Sequence, residues 1–300
     1  MERKLYYKFD LFGELEYNIY IKDVKKMKFF VTGDMHANFN RFYMLPEEIR
    51  HNPDVGIIIL GDAGWNFFLN NTDIHKKRDF HNNFDFYVYC VRGNHEARPQ
   101  SIKGMGLVWD SNVGGVVYCE RQFPRIRYFY DYGAYNLNGL NTLVIGGAYS
   151  VDKYYRLARA GLKENENNPK KTGWWADEQL SEEERTGCYY IATEVEWNLI
   201  LSHTCPISWE PTDLFLSSVD QSSVDSSMEE WMEDLKKNIK WNIWLFGHFH
   251  DDRLVRPRVE MLYRDVEPLE DIIKRWDYWD EHGKLDAWWY NKDPKFYLED

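Results

Sequence analysis

Lys28-Phe29-Phe30-Val31-Thr32-Gly33-Asp34-Met35-His36 joins a short apolar run directly to a polar loop. Such a run predicts a buried strand, and the loop at its end is the kind of place where function is carried. Working outward, a helical stretch is expected through Phe42 and Leu45 to Ile49, closing at Asn52-Pro53. A second apolar run, Val55 to Leu60, opens into Gly61-Asp62-Ala63-Gly64. A third, Phe84 to Val91, ends at Gly93-Asn94-His95-Glu96. Repeated strand and helix units of this kind predict an α/β layered domain with its loops gathered at the strand ends.

Further along, Val116-Val117-Tyr118, Ile126 to Tyr130 and Tyr135 to Ile145 are β-rich, and Asn138-Gly139 breaks the last of them as a hairpin turn would. The polar stretches from Lys163 to Lys171 and from Ser217 to Ser227 read as surface loops. Leu199-Ile200-Leu201 leads to Ser202-His203, and Ile243 to Phe246 leads to Gly247-His248-Phe249-His250. The last stretch holds Trp276, Trp279, Trp288 and Trp289 among charges and carries no chemical motif.

Composition bounds these readings. With 300 residues and 44% hydrophobic content the chain can bury a substantial core. The first residues alternate charge and aromatic groups without a signal peptide's apolar stretch, and no run is long enough to span a bilayer, so a cytoplasmic protein without membrane contact is expected. Cys90, Cys119, Cys188 and Cys205 lack Cys-x-x-Cys spacing and read as reduced thiols. A net charge of −12 counts against broad attachment to nucleic acid, which depends on phosphate contacts by lysine and arginine. Small nucleotides stay open, because bound metals can reverse the local potential.

Five of the nine histidines, His36, His95, His203, His248 and His250, directly follow strand-like runs. Each stands within two residues of a glycine, aspartate, asparagine or serine. Imidazole with carboxylate and amide oxygens suits Mn, Fe, Ni, Co or Zn, whereas magnesium alone prefers more oxygen. Asp34-x-His36, Gly61-Asp62, Gly93-Asn94-His95-Glu96, His203 and Gly247-His248-x-His250 resemble, in order and identity, the signature of calcineurin-like metallophosphoesterases. The resemblance implies a four-layer αββα sandwich of two mixed β-sheets flanked by helices. It further implies two divalent metal ions, manganese first among the candidates. Asp34, His36 and His250 would bind one, Asn94, His203 and His248 the other, and Asp62 would bridge them. A hydroxide held between two metals is the nucleophile of such sites. His95 would be the general acid, and Arg92 matches a phosphate-binding arginine.

Protein phosphatases of this superfamily carry Gly-Asp-x-x-Asp-Arg-Gly in the second motif, where this chain has Trp65 and Asn66. The partner of the catalytic histidine and one phosphate arginine are therefore missing. Gly146-Gly147-Ala148-Tyr149-Ser150-Val151-Asp152, with Arg156 and Gly173-Trp174-Trp175 after it, is similar to a bacterial and phage branch known mostly by sequence. Arg156, with Arg159 as alternate, is expected to fold over the site and supply the missing cation. The expected activity is hydrolysis of a phosphomonoester or phosphodiester. A nuclease or nucleotide phosphodiesterase, or a non-catalytic binding scaffold of the same fold, is the alternative. Residues 1–26 are expected as an extension, 27–265 as the catalytic domain, and 266–300 as an aromatic tail packing on it.

Overall fold

Val55–Ile59 is buried at every position, so an apolar run without alternation here marks a strand covered on both faces. The computed structural model describes residues 26–163, 166 and 168–286, together with two short strands nearer the N-terminus. In chain order the strands are β1 (Tyr7–Phe9), β2 (Leu15–Tyr17), β3 (Lys28–Thr32), β4 (Val55–Ile59), β5 (Tyr87–Cys90), β6 (Met105–Asp110), β7 (Gly115–Glu120), β8 (Ile126–Phe129), β9 (Tyr132–Leu137), β10 (Leu140–Ile145), β11 (Trp197–Ser202), β12 (Trp241–Phe246), β13 (Arg253–Arg256), β14 (Val259–Met261) and β15 (Glu267–Pro268). The helices are α1 (Asn40–Tyr43), α2 (Glu47–Arg50), α3 (Asn71–Asn83), α4 (Lys153–Ala160), α5 (Pro169–Thr172), α6 (Glu182–Thr193), α7 (Ser227–Asn238) and α8 (Leu269–His282).

Two mixed sheets result. The first has the order β15-β3-β4-β5-β8-β7-β6, and β3, β4, β5 and β8 run parallel. The second has the order β13-β14-β12-β11-β10-β9, and β14, β12, β11 and β10 run parallel. Alternate residues of one strand enter different cores. Val31, Ile58, Leu60 and Tyr89 meet Val144, Leu199, Leu201 and Leu245 between the sheets. Phe30, Ile57, Ile59 and Val88 face Phe42 and Phe80 of α1 and α3 instead. Ile145, Ile200, Trp244 and Phe246 face Cys188 and Ile191 of α6 and Met228 and Met232 of α7. The chain is thus a four-layer αββα sandwich.

Asn138 and Gly139 take φ of 54° and 100° between β9 and β10, as a two-residue hairpin turn of the mirror-image type requires. The stretch from Phe42 to Ile49 is two short helices rather than one, because Pro46 stands between them and cannot donate to the preceding turn. Residues 267–285 join the core: β15 pairs with β3, and Leu269, Ile272 and Trp276 of α8 lie among the residues between the sheets. A buried ion pair of 2.6 Å from Arg275 to Glu260 ties α8 to β14. Trp288 and Trp289 lie outside the described residues. The four cysteines are free and buried, and no helix among the described residues is long and apolar enough to cross a membrane.

Candidate metal centre

The parallel strands decide where the polar loops meet. Thr32 pairs with Ile59 and Ile59 with Cys90, so the loops that follow β3, β4 and β5 leave the first sheet at one end. Ser202 pairs with Phe246 in the second sheet, which places His203 beside Gly247, whose N–H donates to the His203 carbonyl at 3.0 Å. The Met35 and His36 N–H groups both donate to the Asp62 carbonyl, at 3.2 and 2.8 Å, and lock the first two loops together.

The side chains from these loops converge. His36 Nε2 lies 2.9 Å from His250 Nε2, which is 3.2 Å from Asp34 Oδ2. On the buried side, His203 Nε2 lies 2.8 Å from Asn94 Oδ1 and 3.8 Å from Asp62 Oδ1. Asp62 Oδ2 faces the other way, 3.9 Å from His36 Nε2. The His203 and His248 rings are 4.9 Å apart. Among the described residues, two groups have ligand atoms within one ion's reach: Asp34, His36 and His250, and Asp34, Asp62 and His203. Asp34 and Asp62 are each 1% exposed. Burial opposes their ionisation, yet the neighbouring imidazoles, His203 first for Asp34 and His95 first for Asp62, outweigh it and hold both carboxyls below the usual range.

Backbone and glycine positions are shaped to this convergence. His36, Asp62, His248 and His250 all have positive φ, between 45° and 69°, a left-handed conformation that costs energy outside glycine. A Cβ on Gly61 would fall 1.9 Å from His203 Nδ1, and one on Gly93 would fall 2.0 Å from Asp62 Oδ1. The glycine of one motif therefore makes room for the donor of another. His203 Nδ1 is 2.7 Å from the Leu60 carbonyl, and donation there turns Nε2 toward the cluster as a lone pair. Buried carboxylates, facing imidazole nitrogens and strained carriers fit a pair of divalent cations of the nitrogen and oxygen type.

The sequence pattern described as Calcineurin-like phosphoesterase matches residues 27–252. The chain belongs to this family. Its members depend on two metals, and the convergent donors of this phosphoesterase are candidates to hold them. No curated protein matches the chain. A solved structure of a phosphopantetheinyl hydrolase from Mycobacterium tuberculosis is similar at 15% identity and a TM-score of 0.42, over 87% of this chain and 94% of that one.

His95 is half-buried, its ring 5.7 Å from that of His36, and its N–H donates to Asp62 Oδ1 at 2.7 Å. Its Nδ1 is buried and makes no hydrogen bond among the described residues; Asp152 Oδ1 is in the same condition. Both residues line the cavity over the donors. Burial pulls the His95 imidazole below its ordinary value; Asp62 and Asp152 oppose this, and Arg156 adds to it. Glu96, wholly buried behind Asp62, is pushed up to about 8 by burial and by that carboxylate.

The two arginines are engaged by protein groups. Arg92 is 3% exposed; its Nε is 2.9 Å from Asp131, and its Nη1 donates to the Glu178 carbonyl at 2.7 Å. It does not line the cavity. Arg156 pairs with Asp152 at 2.7 Å and donates to the Gly173 carbonyl, opening onto a neighbouring cleft with Arg159. Trp65 stacks on Phe39 in the core, and Asn66 accepts from the buried Lys77 ammonium at 2.6 Å. Trp174 and Trp175 are each 4% exposed and do not line the cavity.

Sequence reasoning missed Ser150 and Glu178. Asn94 Nδ2 donates to Ser150 Oγ at 2.8 Å, and Ser150 donates through its hydroxyl and its N–H to the Glu178 carboxylate. That chain fixes which end of the Asn94 amide faces His203. The signal was Ser150 in the Gly-Gly-Ala-Tyr-Ser segment, since a buried serine at a strand end needs a partner. Ser150→Ala is expected to free the amide and weaken manganese binding by about 10–100-fold, with Ser150→Thr largely restoring it. Competition against a chelating dye measures this, and unchanged affinity in Ser150→Ala would refute the positioning role.

Proposed function

We propose that this phosphoesterase hydrolyses a phosphomonoester or phosphodiester with two divalent ions, manganese foremost, held by Asp34, His36, Asp62, Asn94, His203, His248 and His250. The observation that carries the reading is the orientation of Asp62, whose two oxygens face imidazoles of opposite groups, His203 and His36. Bound there, such ions supply Lewis acidity toward the phosphoryl oxygens and an activated water. Asp62 then serves both positions, and Asn94 contributes a neutral oxygen whose aim Ser150 maintains. His95 is the donor for the leaving oxygen, and Asp152, which lines the same cavity, opposes in part the lowering of its imidazole by burial and Arg156. Arg92 acts in this reading as a buried brace between Asp131 and Glu178. The cytoplasm is the proposed location.

The test is metal content and turnover measured on one preparation. Protein reconstituted with manganese is expected to bind about two ions per chain and to hydrolyse aryl phosphate mono- or diesters. Stoichiometric metal with no turnover on any ester would favour a binding scaffold.

A further inference from the structure

We infer that the organic group of the substrate is apolar and uncharged, an aryl or alkyl alcohol rather than a nucleoside polyphosphate or another anionic carrier. The inference rests on the phosphoesterase reading and deepens it. A cavity of about 460 Å³ opens over Asp62, Asn94, His95, His248 and His250. Its far wall is Leu214, Phe215, Leu216, Val219, Val224 and Phe249. Phe249 lies in sequence between two candidate ligands, its ring 4.9 Å from that of His248 and stacked at 6.5 Å on Phe215. The apolar wall is therefore continuous with the metal-binding loop, and an ester whose phosphorus sits on the donors must place a substituent against it.

Charge supports the same class. Among the residues lining the cavity there is no lysine or arginine, whereas Asp152, Glu210 and Glu229 line it beside the candidate ligand Asp62. An anionic group on the substrate's arm would meet Glu210 and Glu229 there, with no lysine or arginine on the cavity wall, while Asp152 is paired with Arg156 outside it. The nearby cations, Arg156, Arg159, Lys170 and Lys171, line the separate cleft, with Asp152 common to both. Leu216 is 60% exposed, so a hydrocarbon arm that covers it gains burial that a polar arm does not.

The experiment compares manganese-loaded enzyme on 2-(1-naphthyl)ethyl phosphate, ethyl phosphate and ATP. The first two alcohols ionise alike, so their difference reports the arm and not the leaving group. Burial of the ring predicts a kcat/KM about 30-fold or more above ethyl phosphate, and ATP as the poorest of the three. Leu216→Ser with Phe215→Ser is expected to bring that ratio toward unity while ethyl phosphate turnover holds. Equal rates on the two alkyl esters, or preference for ATP, would overturn the inference while leaving the hydrolase reading intact. Should no ester be cleaved, the hydrolase reading falls, and binding of 2-(1-naphthyl)ethylphosphonate, followed by its fluorescence, still decides the pocket. Binding lost in the double variant supports it, and no binding to the parent protein refutes it.

Discussion

Exhaustive removal of divalent ions is expected to lower hydrolysis by about 10³-fold or more, because several kcal/mol of transition-state stabilisation depend on them. Asp34 and Asp62 are buried with their imidazole partners, a set of nitrogen and oxygen donors that suits divalent cations. Manganese should restore activity better than magnesium, given an imidazole-rich donor set. The measurement is turnover after dialysis against chelator and again after each ion is added back. Undiminished turnover in protein verified as metal-free would end the two-metal reading.

Replacing His95 by asparagine is expected to leave bound metal intact and to cut hydrolysis of esters with poor leaving groups by about 10²–10⁴-fold. The residue is anchored at the site by its backbone N–H, which donates to Asp62 Oδ1 and which asparagine at this position still provides. Activated aryl esters need little protonation of the departing oxygen and should lose far less. The slope of log kcat against leaving-group pKa, parent against variant, reads the role. Parallel slopes with a uniform loss would mean that His95 positions the substrate or the ions and transfers no proton.

Much of the fold was legible because apolar runs of the parallel strands are buried on both faces, as at Val55–Ile59, and because β3, β4, β5, β10 and β12 end at glycine-bearing loops. α3 was not legible. Its buried positions are Asp73, Lys77 and Phe80, and two of those three are charged. Lys77 is buried because Asn66 and Glu120 receive its ammonium, a partnership between segments far apart in sequence. The candidate ligands could be read from their residue types and order, whereas the arginines could not be placed that way. Arg92 is adjacent to Gly93 in sequence, yet its guanidinium is engaged by Asp131 and by the carbonyls of Glu178 and Gly93. Side-chain direction at a strand end is set by packing, which sequence order does not report.

The division of the donors between the sheets bears on the order in which the chain is made. Asp34, His36, Asp62 and Asn94 follow strands of the first sheet, and His203, His248 and His250 follow strands of the second. Synthesis delivers the first four long before the last three, and early-made regions begin to fold first. A nascent chain emerging only as far as β10 presents acidic and amide donors with a single imidazole among them, a weak and poorly selective trap for transition metals. With the proposed ligand set, tight loading waits for the second half to dock, so acquisition of the ions would report that both sheets have met.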